Sequence, residues 1–152
     1  MRGDTRAVSP AVTQALTIGI STILITGLLV AGSSFIDAKQ ENTIRQGLQD
    51  VGSGVASDLV RLDQFITRTG AVGVSYTSSY PDRVGNEAYR IEISDSGSTD
   101  TKTIAIDSAS SNLGTEIRFE TSTDICSSRT ATGGTIEVFY DESNACLGVR
   151  ST

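Results

Sequence analysis

Between Arg6 and Asp37 the chain carries no charged residue, and the stretch from Ala11 to Ile36 exceeds the roughly 20 apolar residues a helix needs to span a bilayer. A segment of this kind meets a membrane at some stage. Ser9 before Pro10 predicts the helix start: the hydroxyl caps free N–H groups, and Pro at the first helical position has no donor to lose.

The apolar helix is patterned. Ala11, Ala15 and Gly19 recur every four residues, and after Ile23 the ridge continues through Gly27 and Ala31, so small side chains let another backbone come close. Thr13, Thr17 and Ser21 form a second ridge beside it, and Gln14 places an amide where lipid cannot satisfy it. A helix built this way prefers protein neighbours. Each interhelical polar contact contributes only about 0.6 kcal/mol on average, so the pattern matters most where an assembly repeats it. An ordinary anchor with scattered small residues is the competing reading.

Charges return after Ile36, yet apolar residues keep helical spacing at Ile44, Leu48, Val51, Val55, Leu59, Leu62 and Ile66. The helix is therefore predicted to continue, amphipathic, to about Arg68. An unbroken helix from Pro10 would be about 90 Å long at 1.5 Å per residue, more than a small domain can bury. Gly47, Gly52 and Gly54 weaken its middle, at about 1 kcal/mol each relative to Ala, which predicts a kink or local melting there.

From Gly70 the period changes to two. Val72, Val74 and Tyr76, then Tyr89, Ile91 and Ile93, then Ile117 and Phe119 alternate with polar residues, and Ile104 with Ile106, Ile136 with Val138, and Leu147 to Val149 complete about six strands. Turn-like segments at 80–86 and 95–100 divide them. The fold class is α+β: a long N-terminal helix, hydrophobic then amphipathic, packed through its stripe from Val51 to Ile66 against a small antiparallel β-sheet head at 70–152.

Composition excludes several chemistries. Twelve Lys+Arg face 18 Asp+Glu, and the first 70 residues are neutral, so the whole net charge of -6 lies in the β-rich part. A phosphate-neutralising nucleic-acid surface is excluded. The chain has no histidine and two cysteines, too few for histidine catalysis or a four-ligand zinc site, and no cofactor or metal is expected. Asp95 with Asp100, and Asp141 with Glu142, lack the ligand spacing of a calcium loop and read as solvated turn residues, so no enzyme is expected. Only Lys39 and Lys102 are lysines. An acidic, lysine-poor surface suits molar salt, where the Debye length is about 3 Å and self-repulsion is small; a GC-rich genome gives the same bias.

Cys126 and Cys146 both lie in the β-rich part, and a disulfide between them would contribute about 3 kcal/mol in the chain-entropy model and imply an oxidising compartment. Two buried free thiols are the alternative. Arg2 and Arg6 on one side of the apolar segment face Lys39 and Arg45 on the other, so basic residues do not settle its orientation.

Taken together, Arg2-Gly3, then Asp4-Thr5-Arg6-Ala7-Val8-Ser9-Pro10, then the apolar helix resemble a type IV pilin, most closely the archaeal kind found in halophiles. The resemblance covers about the first 40 residues. It implies a leader at 1–3, a prepilin peptidase cut between Gly3 and Asp4, and a mature helix at 4–69 that resides in the membrane and then packs into a filament core. The packing residues implied are Ala11, Gln14, Ala15, Gly19, Ile23, Gly27 and Ala31. Many bacterial pilins carry Glu at the fifth mature position, where this chain has Val8, so docking through that carboxylate is not implied.

Arg2-Gly3-Asp4 also spells an integrin-binding tripeptide, but the same cut would sever it. A secretory signal cleaved near Ala31-Gly32-Ser33 would release a soluble domain, although its apolar run normally spans only 7 to 15 residues. A permanently anchored domain with a binding role is the third reading. The expectation is a structural subunit of an extracellular filament. Its partners are other copies of itself in a helical homopolymer, the prepilin peptidase and membrane assembly machinery, and the membrane before assembly. There is no Asn-x-Ser/Thr sequon, which leaves O-glycans on the Ser/Thr-rich surface.

Overall fold

The computed structural model describes residues 8–95, 100–126 and 130–152. Among them are one helix, α1 (Val8–Thr69), and eight strands: β1 (Ser75–Ser79), β2 (Tyr89–Asp95), β3 (Thr101–Ser108), β4 (Gly114–Glu120), β5 (Asp124–Ile125), β6 (Thr130–Thr132), β7 (Thr135–Asp141) and β8 (Cys146–Ser151). The chain divides into two compact units, residues 1–40 and 41–152. The first holds the apolar part of α1. The second holds the amphipathic part together with all the strands, an α+β arrangement.

In the second unit the helical stripe is the spine of the core. Ile44, Leu48, Val51, Val55, Leu59, Leu62 and Ile66 are all buried, in one cluster with Ile91, Ile93, Ile104 and Ile106 and with Ile136, Val138, Leu147 and Val149. Two four-stranded sheets meet it, in the orders β1-β7-β8-β5 and β4-β3-β2-β6. All pairs are antiparallel except β5 with β8. Register follows from alternation: Ile91 sits opposite Ile106, Ile93 opposite Ile104, Ile104 opposite Ile117, and Val138 opposite Val149. A one-residue slip would turn each of these outward.

The helix does not break at its glycines. It is helical through Gly47, Gly52 and Gly54, contrary to the kink or melting predicted from propensity. Each glycine is a point of close approach. A Cβ at Gly52 would collide with the tip of Ile106 and come within 2.8 Å of Ile117, one at Gly54 would lie 2.7 Å from the Tyr80 ring, and one at Gly47 would strike Val84. The propensity cost is offset by apolar contacts that a side chain would prevent. Gly52→Leu is accordingly expected to destabilise this unit by about 1–3 kcal/mol through overpacking, although Leu is the better helix former. Thermal unfolding followed by circular dichroism checks this; an unchanged or raised midpoint would show that the two isoleucines have room to move.

The helix ends where the sequence changes period. Gly70 takes φ +64° and donates its N–H to Ile66 O at 2.8 Å, the left-handed stop that favours glycine. Gly73, at φ +65°, delays the first strand, so β1 begins at Ser75 and Val72 stays exposed rather than joining the predicted alternation.

Two buried carboxylates tie the helix to the strands. Asp63 accepts the backbone N–H groups of Ser122 and Thr123, each at 3.0 Å, and Asp58 accepts the hydroxyls of Ser78 and Tyr80, each at 2.7 Å. A third buried charge joins the two sheets. Lys102 occupies the inward face of β3 in line with Ile104 and Ile106 and is 1% exposed, and its Nζ lies 3.0 Å from Asp95 on β2 and 3.2 Å from Asp124 on β5.

Candidate functional site

The apolar part of α1 is the first surface of interest. Every residue from Pro10 to Gln40 is exposed, including Ala11, Gln14, Ala15, Gly19, Ile23, Gly27 and Ala31. Large apolar side chains lie among them, with Ile23 73%, Leu28 72% and Phe35 71% exposed. A Cβ built at Gly19, Gly27 or Gly32 meets nothing within 4 Å, so none of the described residues fills the space beside these glycines. Five of the hydroxyls are bonded back to the helix itself. Thr17 donates to Thr13 O, Thr22 to Ile18 O, Thr26 to Thr22 O, and Ser33 and Ser34 to Val30 O, at 2.8–3.2 Å. Satisfied within their own helix, they suit a surface that faces hydrocarbon or another helix. Gly3 and Asp4, the predicted processing site, lie outside the described residues.

In the head, Cys126 and Cys146 are joined in a disulfide that closes a sequence separation of 20. They also lie near Asp141, the three ligand atoms all within 4.8 Å of one another, but sulfurs in a disulfide are not thiolates and cannot bind a metal as such. The acids considered for chemistry are dispersed. Asp95 pairs with Lys102, Asp100 is exposed beside Asp63, whose two oxygens are taken, and Asp141 accepts the Asn144 amide at 2.6 Å and the Ser143 N–H at 2.9 Å within a turn.

Several head groups have shifted protonation equilibria. Hydroxyls of Ser108 and Ser111 hold Glu87 below the usual carboxylate range, Arg150 at 2.6 Å does the same for Glu137, and the Asn144 amide does so for Asp141. Burial pulls Lys102 down, but Asp95 and Asp124 more than offset this and hold it above the usual lysine range. Burial pushes Tyr89 up to about 12 and raises Tyr80 as well, with the Asp58 hydrogen bond adding to the Tyr80 shift.

These directions fix the pH dependence. Carboxylates with lowered folded values contribute stability that is present above their unfolded value, near 4.3 for Glu, and is lost as pH falls through the folded one. Groups with raised folded values contribute stability that is present below about 10 and is lost as pH rises. The melting temperature is therefore expected to be flat from about pH 6 to 9, falling on either side. Melting curves at fixed ionic strength test this, and a midpoint that rises on acidification from pH 6 to 3 would contradict it.

A second surface lies on the head, where the last turns of α1 meet β1. Asp58, Arg61, Leu62 and Phe65 on the helix and Val74 and Tyr76 across from them line a groove of about 320 Å3. Phe65 and Tyr76 are each 49% exposed, and Val72 nearby is 58% exposed. The sequence singled out none of these as a site. Phe65 interrupts the polar face of an otherwise regular amphipathic stripe, and that was the available signal.

A long N-terminal apolar helix with a β-sheet head resembles pilin architecture. The helix points to a membrane or to secretion, and the disulfide to an extracytoplasmic head. The chain belongs to a family of unknown function, DUF7266, whose model matches residues 3–150. No curated protein and no solved structure matches it.

Proposed function

We propose that this protein is a structural subunit of an extracellular type IV pilus-like filament, assembled through its apolar helix and serving surface adhesion. One observation carries the reading: an apolar helix with a small-residue ridge that none of the described residues covers, in a protein whose head is already folded and disulfide-bonded. In the membrane, lipid solvates this helix. On extraction, neighbouring helices of other copies replace the lipid, while the acidic heads face solvent. The driving force is burial of apolar surface, with small residues allowing close packing, and no covalent link between subunits is needed. The net negative head fits an archaeal, high-salt setting, where screening removes its self-repulsion.

The first test is the intact mass of natively produced protein. A mature chain beginning at Asp4 is expected, after prepilin peptidase cleavage following Gly3. A start near Ser33 would mean a secreted soluble domain, and a retained Met1 would favour a plain membrane anchor. Electron microscopy of sheared cell-surface material is expected to find the protein in filaments.

A further inference from the structure

The groove between α1 and β1 has an acid in its wall whose bonding is half used. Asp58 is 7% exposed, and its Oδ2 accepts both the Ser78 and the Tyr80 hydroxyls, while among the described residues nothing donates to Oδ1. A buried carboxylate oxygen without a donor is costly, and one lining an open apolar groove can be satisfied from outside. Phe65 and Tyr76, both half exposed, flank the groove with rings that favour a cation's stem and charge. The complementary group is a basic side chain with an aliphatic stem.

The head supplies such a group at a sheet edge. Arg90 and Arg118 are exposed and have no carboxylate partner among the described residues. Arg90 lies on β2, flanked on both sides by β3 and β6, whereas Arg118 lies on β4, an outer strand of its sheet. Glu116 and Glu120 stand two residues to either side of Arg118 on the same face. The groove is bordered by opposite charge: Arg61 lines it, and Arg68 follows seven residues on along the same helical face. Each flanking carboxylate lies about 7 Å from Arg118 along the strand and Arg61 about 4.5 Å from Asp58 along the helix, spans that match closely enough for one such pair to engage while Arg118 meets Asp58. The bordering strand β1, Ser75–Ser79, is itself a sheet edge and carries no charge to repel an approaching strand.

We infer that the groove is a docking site for a second copy of this chain, whose Arg118 enters between Phe65 and Tyr76 to reach Asp58 while one of its flanking carboxylates, Glu116 or Glu120, faces Arg61. The inference rests on the filament reading for its setting. Groove and β4 edge are different surfaces of the head, so the contact is heterologous and propagates without closing, as a helical array requires. A patch of this size lies below the roughly 1,000 Å2 of a stable interface, so it sets the register between subunits that are held together by their helices.

The test uses full-length protein in detergent micelles, where no filament is needed. Ser75→Cys and Glu116→Cys are prepared separately, mixed and oxidised with copper phenanthroline. A cross-linked dimer is expected at several times the yield obtained when Asn144→Cys replaces the Ser75→Cys partner. Asp58→Asn in the Ser75→Cys chain keeps an acceptor for Ser78 and Tyr80 but removes the charge, and is expected to lower the yield roughly tenfold, as is Arg118→Gln in the other chain. Yields equal to the Asn144 control, or unchanged by Asp58→Asn in a head whose circular dichroism is intact, would overturn the inference; the second result means that solvent alone satisfies Oδ1. Filaments without the cross-link reject the docking site alone, and the cross-link without filaments rejects the filament reading alone.

Discussion

Gly19→Leu is expected to give protein that is processed, inserted and folded, and few or no filaments. The residue lies in the middle of the ridge formed by Ala11, Ala15, Gly27 and Ala31, and a Cβ there meets nothing within 4 Å among the described residues. The substitution therefore introduces no clash within the subunit. Leucine is the better helix former, and as an apolar residue it does not impair bilayer insertion. Between subunits the effect reverses. Where small residues let backbones approach, a leucine enters space that a neighbour occupies, at about 1–3 kcal/mol per overpacked contact. Every subunit in a homopolymer meets the same clash, so the penalty recurs along the whole filament. Ile20→Leu, which conserves volume on a different face, is the control and should assemble normally. Membrane fractionation, head-domain unfolding and electron microscopy of the same cells read the three outcomes separately. Normal filaments from Gly19→Leu would show that this ridge faces no neighbour, and wild-type protein that never leaves the membrane would favour the anchored monomer.

What could be read in advance followed the range of the physics involved. The stripe from Ile44 to Ile66 was legible because helical burial repeats with a period that a linear sequence displays, and all seven positions are buried. Strands of seven or eight residues showed their alternation, whereas β5 and β6, with two and three residues, are too short to display any. The glycines of α1 were misread for the same reason. Propensity sees only the local backbone, and the side chains that need Gly52 and Gly54 empty, Ile106, Ile117 and Tyr80, come from other elements. The burial of Lys102 had no signal in the sequence, because its neutralising partners, Asp95 and Asp124, are brought together only when the two sheets close. The small-residue ridge of α1 was visible in its spacing. The groove was not, since Asp58 reads as one charge among many until Ser78 and Tyr80 are seen to occupy a single one of its oxygens.

Removing the disulfide is expected to be the largest single loss of head stability. In the chain-entropy model a bond closing a separation of 20 residues restricts the unfolded chain by about 3 kcal/mol, and loss of a native bridge in a small exported domain costs about 2–5 kcal/mol. The folded state adds a local consequence. Cys126 follows β5, whose two residues form the only parallel pairing among the described strands, and Cys146 opens β8. Beyond the bridge, β5 is held by its short pairing with β8, by the Cys126 N–H to Leu147 O bond at 2.8 Å, and by the Asp124 ion pair to Lys102. Without the bridge β5 detaches first, and Lys102, on an inward face, loses the Asp124 carboxylate and keeps that of Asp95. Loss of one partner from a buried ion pair adds to the loss of the bridge. Cys126→Ser, Cys146→Ser and the double variant should therefore unfold at similar temperatures, each lower than wild type by about 10 °C or more. Hydrogen exchange should rise first at 121–126. Differential scanning calorimetry of oxidised and reduced full-length protein checks the size, and a midpoint that moves by less than about 2 °C on reduction would mean that packing of β8 against β7 already holds this edge without the bridge.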